Sequence, residues 1–148
     1  MTMNLQDLLG TNLDRVAPSA DTIRRLLDGA ARQIADAKIA AISGETRFVS
    51  AYTAIRMLAD IGLHANGYRT RSSSPGHHLI AIRALGETIG VGAREIARLD
   101  TLRQMRNAAE YSGDLIPKAA VAECVRQAHA LQKRVFAWLT ENRPELLK

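Results

Sequence analysis

The sequence predicts an all-α protein, an up-and-down bundle of four to five main helices. Three observations carry that expectation. Alanine and leucine dominate while aromatics make up 4% of the chain, a bias toward helix over strand. Apolar residues recur at helical spacing in successive stretches, and no stretch shows strand alternation. At 148 residues and 47% hydrophobic, the chain is long enough to bury one real core.

Taken in order, Met3 to Leu9 is a short helix candidate ended by Gly10, and Asn12 to Pro18 is a connector. Residues 1–18 thus form an N-terminal extension, and 19–142 the bundle. Ser19 is a good N-cap, with Asp21 and Thr22 in the first turn. A helix is expected from about Ala20 to Ile42, with Ile23, Leu26, Leu27, Ala30, Ile34, Ala37 and Ala41 as its apolar stripe. Arg24, Arg25, Asp28, Arg32 and Asp36 fall mostly off that stripe.

Ser43-Gly44 breaks the pattern. Glu45 to His64 is the next helix, carrying Phe48, Ala51, Tyr52, Ile55, Leu58 and Gly62 on one face. Small residues at Ala51, Ala54, Ala59 and Gly62 let a neighbouring helix approach closely. Asn66 to Pro75 is the most polar loop, with Arg69 and Arg71 among serines. Two arginines there suit phosphates, and a solvated loop explains them equally well.

Gly76 to Ile89 reads as a shorter helix, with His78, Ile82, Leu85 and Ile89 on a stripe. Ala93 to Tyr111 follows, its core stripe being Ile96, Leu99, Leu102, Met105 and Ala109. Gly113 stands where a C-terminus favours positive φ. Pro117 suits the start of the last helix, Lys118 to about Glu141. Its stripe is Val121, Cys124, Val125, Ala128, Leu131, Val135, Trp138 and Leu139. Residues 143–148 are expected to fray as a tail.

The formal net charge is +5, with both signs interspersed. That is a mild bias toward anionic partners, including nucleic acid. The single cysteine, Cys124, excludes an intrachain disulfide and sits in an alanine-rich helical run, as a small buried residue would. The first residues lack the apolar run of an export signal, and no apolar stretch reaches membrane-spanning length. A cytoplasmic protein with no membrane association is expected.

Several chemistries lack their motifs. There is no phosphate-binding glycine loop with its lysine, no nucleophile elbow and no zinc spacing. His77 and His78 are adjacent, so their side chains leave a helix about 100° apart and do not readily chelate one metal. No metal site and no cofactor are expected.

The most polar helical stretch is Leu102 to Tyr111. Arg103, Arg106, Asn107 and Glu110 share one surface, with Arg106–Glu110 and Asn107–Tyr111 at i, i+4. One reading is a capped helix end with a surface ion pair. The other is a nucleotide or nucleic-acid site, with Arg103 and Arg106 on phosphate while Asn107 and Tyr111 orient a ribose or base. His77 and His78 open a helix, where an anion is favoured. His78 is equally placed to be a boundary histidine.

With these residues in hand, the chain resembles the HEPN superfamily (higher eukaryote and prokaryote nucleotide-binding) over roughly residues 20 to 140. The resemblance is carried by three places. They are the helix Phe48-Val49-Ser50-Ala51-Tyr52-Thr53-Ala54; the serine-rich loop into Gly76-His77-His78, with Ile82 and Ala84-Leu85; and Arg106-Asn107-Ala108-Ala109-Glu110-Tyr111. The resemblance implies a homodimer with a cleft lined by the last motif. It implies an RNA- or nucleotide-associated role in a toxin–antitoxin or stress/defence system, acting by binding RNA or a minimal nucleotidyltransferase partner. Many relatives are metal-independent ribonucleases using an arginine, four to six residues, then a histidine. Here, after four intervening residues, Tyr111 follows Arg106, so the usual acid/base near neutral pH is missing. The alternatives are an endoribonuclease built on Arg106 with Tyr111, His77 or His78, and a helical protein–protein interaction scaffold. Arg69 and Arg71 complete the candidate binding residues.

Overall fold

A computed structural model describes residues 4–73 and 76–148. Met3, Ser74 and Pro75, which the sequence reading used in the first short helix and in the serine loop, lie outside the described residues. The helices are α1 (Ala20–Ala37), α2 (Gly44–Ala65), α3 (His77–Arg83), α4 (Leu85–Ile89), α5 (Ala93–Ser112) and α6 (Lys118–Asn142). The all-α expectation holds: four of the six are long, and α3 with α4 are one expected helix interrupted at Ala84.

The helix ends follow local chemistry. Ser19 and Ser43 cap α1 and α2, their hydroxyls accepting the N–H of Thr22 and Thr46. Gly113 ends α5 in the left-handed region at φ 70°. The first helix stops at Ala37, five residues before the expected Ile42. There the Arg47 guanidinium donates to the Ala37 carbonyl at 2.7 Å, satisfying a helix end that would otherwise continue. Beyond it Ile39 is exposed, so continuing the helix would bury nothing.

Helix α2 is the central element. Its contact with α1 is the most extensive of any two elements, and that with α6 comes next. All six residues of its expected apolar face are buried. The interhelical core adds Ile23 and Ile34 from α1, Ile82 and Leu85 from α3 and α4, and Leu131, Val135 and Leu139 from α6. Cys124 is buried too, its Sγ donating to the Phe48 carbonyl at 3.7 Å, and burial pushes its thiol up to about 12.

The chain departs from the expected pattern at both ends of the bundle. Leu13–Arg15 forms β1 and Tyr68–Thr70 forms β2, an antiparallel pair with Leu13 opposite Thr70. Strands were not expected in either segment. Leu13 is fully buried, so the N-terminal segment is part of the packed body. A 3₁₀ turn over Leu5–Leu8 stands within the expected first helix. At the other end Pro144–Leu147 forms a 3₁₀ turn rather than fraying. Leu146 is buried there, and the turn packs on α1 and α6. Among the described residues no helix is long and apolar enough to cross a membrane.

Candidate functional site

Three polar residues interrupt the apolar length of α2 at i, i+4 spacing: Tyr52, Arg56 and Asp60. Tyr52 and Arg56 interact with charged groups of α3 and α5, and Asp60 feels His77 of α3 while also lining a cleft toward α1. His77 and His78 stand at the first turn of α3. Arg103 and Arg106 come from the middle of α5.

The charges in this region act on one another. The Arg106 guanidinium lies over the Tyr52 ring, 5.6 Å from its centroid, within cation–π range. Tyr52 is 1% exposed and its hydroxyl has no hydrogen-bond partner among the described residues. Burial pushes that hydroxyl's pKa up, against the opposing pull of Arg106, Arg103 and Arg56. His78 is half-buried. Burial, and after it His77, Arg56, Arg106 and Arg103, bring its pKa down to about 4. Its imidazole is therefore neutral at pH 7. The two histidine rings meet edge to face with centroids 4.2 Å apart.

The α5 arginines are each paired with a carboxylate on their own helix. Arg103 Nε donates to Asp100 at 2.8 Å, both side chains being under 20% exposed. Arg106 Nη1 lies 3.0 Å from Glu110, which is more open to solvent. Arg56 makes no ion pair with any described residue. A guanidinium has five N–H donors, so each paired arginine keeps donors for a further acceptor. The region thus gathers three guanidinium groups around a neutral imidazole.

Beside Arg106 opens a cleft of about 380 Å³, lined by Glu45, Thr46 and Val49 of α2, Arg106, Ala109 and Glu110 of α5, and Ile116. Two carboxylates against one arginine make this cleft poor for phosphate. Its apolar walls continue outward to exposed Val49.

Of the residues singled out by sequence, His77, His78, Arg103 and Arg106 are brought into one neighbourhood. Glu110 reaches it through Arg106. Asn107 is half-buried on the same helix. Tyr111 is 83% exposed, so it stands outside this polar cluster rather than shaping it. Arg69 and Arg71 lie elsewhere, around a separate cavity of about 390 Å³ with Asp14, Thr70, Ser72 and Ser73. Arg71 there donates to Asp14 at 2.8 Å.

Sequence reasoning missed Tyr52, Arg56 and Asp60. The available signal was their i, i+4, i+8 recurrence in an otherwise apolar helix. It also left His64 without a role. The His64 Nε2 accepts the Ser19 backbone N–H at 3.0 Å, tying the end of α2 to the cap of α1. Among the described residues no group of three or more histidine, cysteine, aspartate or glutamate side chains is arranged to hold a metal ion. No family model matches the chain, and no curated protein or solved structure matches it.

Proposed function

We propose that the chain is a HEPN-like helical module that binds RNA or a nucleotide on the face shared by α2, α3 and α5. The reading rests on one observation above the others: the Arg106 guanidinium of α5 lies over the Tyr52 ring of α2, 5.6 Å from its centroid, with Arg56 and Arg103 close enough to act on Tyr52 and His78 as well. Arginine forks match phosphate oxygens. Convergence from separate helices is more than a solvated stripe on one helix would give. The resemblance of Arg106 to Tyr111, with its helical setting, to the HEPN motif adds to it.

On this reading the protein is a cytoplasmic component of a toxin–antitoxin or stress/defence system. It acts as a homodimer, and its second partner is a minimal nucleotidyltransferase. Binding of labelled single-stranded RNA at low salt tests the core of this. Wild type binds, and Arg106→Ala weakens binding by about tenfold, the loss of one charge-assisted contact. Equal binding by the two proteins would remove Arg106 from the interface.

A second reading, a metal-independent endoribonuclease, is favoured by one specific observation. A neutral His78 stands within the field of Arg103 and Arg106, although no histidine follows Arg106 on its own helix. A neutral imidazole can accept a proton from a ribose hydroxyl while arginines stabilise the charge that develops on phosphate. An RNA-cleavage assay in the presence of a chelator decides it. Cleavage by wild type and none by His78→Ala supports the enzyme, and intact RNA with both leaves the binding module.

A further inference from the structure

A third cleft, of about 300 Å³, opens between α1, α2 and β2. It shares no lining residue with the cleft beside Arg106. Its walls are apolar and aromatic, from Val16, Leu26 and Tyr68, and two polar residues of α2, Asp60 and His64, line it at i, i+4. That size is at the lower end for small-ligand sites, which combine apolar walls with a few placed polar groups.

The two polar residues offer opposite hydrogen-bonding capacities. No described residue hydrogen-bonds or ion-pairs with the Asp60 carboxylate. Its two oxygens are acceptors only. His64 is 7% exposed, and burial lowers its pKa, so the ring is neutral at pH 7. Its Nε2 accepts the Ser19 N–H, which places the ring proton on Nδ1. The cleft therefore holds a double acceptor and a single donor one helical turn apart.

Arg69 and Thr70 line this cleft and also the adjoining cavity of about 390 Å³ that holds Arg71, Ser72 and Ser73. A ligand with a hydrogen-bonding planar end and an anionic end could span the two.

We propose that this cleft binds a guanine nucleotide, with Asp60 accepting from the N1–H and exocyclic amine of the base and His64 donating to its carbonyl. Guanine is the base whose edge offers two adjacent donors and one acceptor in that order. Adenine and cytosine present one donor group to the carboxylate and leave an oxygen of Asp60 unsatisfied. The phosphate lies toward Arg69. The site adjoins the α2–α3–α5 face through Asp60, which feels Arg56 and His77, but neither Arg103 nor Arg106 lines it, so loss of RNA binding on removing those two leaves it intact.

Calorimetric titration of the full chain with GMP, IMP and AMP tests the proposal. GMP binds, and IMP, which lacks the exocyclic amine, binds about tenfold more weakly, as expected for one lost charge-assisted hydrogen bond. AMP binds weaker still. Asp60→Asn abolishes the preference for GMP over IMP while keeping the thermal transition of a folded protein, since it removes a carboxylate that no described group pairs with. Leu26→Trp, which puts a bulky ring into the cleft, also lowers GMP binding at least tenfold. Equal affinity for GMP and AMP, no GMP binding, or an unchanged preference in Asp60→Asn would each overturn the assignment.

Discussion

Helices α2 and α5 are similar in length and opposite in use. In α2, 12 of 22 residues are buried; in α5, only Leu99 and Leu102 of 20 are buried. Both show helical periodicity in sequence, so periodicity alone does not tell a core helix from a helix laid against the surface. The difference lies in the spacing residues. Between its large apolar residues α2 carries Ala51, Ala54, Ala59 and Gly62, which let neighbouring elements close on several sides. Between its apolar residues α5 carries Arg98, Asp100, Arg103, Gln104, Arg106 and Asn107. One helix organises the core, and the other presents side chains.

The largest test of that contrast is truncation. Phe48→Ala in α2 removes a fully buried ring and is expected to cost about 3–5 kcal/mol. Met105→Ala on the expected stripe of α5, only partly buried, is expected to cost about 1 kcal/mol. Chemical denaturation of both variants measures the difference, and comparable losses would mean that α5 is also a core helix.

A smaller effect concerns the polar stripe of α2. Burial raises the Asp60 carboxyl from its ordinary 3.8 to about 6, with Arg56 and His77 opposing. Between those values the folded chain holds a proton that the unfolded chain has released, so this group's contribution to stability falls as pH rises from about 4 to 6. By pH 7 the cost of ionising it is on the order of 2 kcal/mol. Asp60→Asn is therefore expected to be more stable than wild type at pH 7 by about 1–2 kcal/mol, with the advantage gone at pH 4. Thermal melts at the two pH values read it directly.

Close packing on α2 sets a further expectation. A Cβ added at Gly62 would lie 2.8 Å from the Thr88 Oγ1, itself buried without a partner among the described residues. Gly62→Ala should destabilise by about 1–2 kcal/mol despite the better helix propensity of alanine. Adding Thr88→Ala should recover most of the loss, because the two positions are in contact. No recovery in the double variant would mean that something other than this contact is at fault.

Much of the fold was legible from sequence. Ser19, Ser43, Gly113 and Pro117 mark helix ends by chemistry that acts within a few residues, and each stands at the boundary expected of it or beside it. The β1–β2 pair was not legible. Three-residue strands show no usable alternation, and pairing Leu13 with Thr70 is a long-range event that local pattern does not encode. The same distinction holds at the candidate site. Arg103 and Arg106 were visible as neighbours on one helix. Arg56 and His78 join them only through the packing of α2, α3 and α5. Asp60 read as one charged residue among many until β2 and α1 closed a cleft around it.

Arg56, Arg103 and Arg106 are proposed to form one anion-binding face. The salt dependence of RNA affinity tests it most directly, comparing wild type with the Arg56→Ala/Arg103→Ala/Arg106→Ala variant. If the three contact phosphates, the log–log slope of affinity against salt falls in magnitude by about 2 in the variant, at about 0.7 per phosphate contact on a single strand. An unchanged slope, in a variant whose melting shows it folded, would contradict the account.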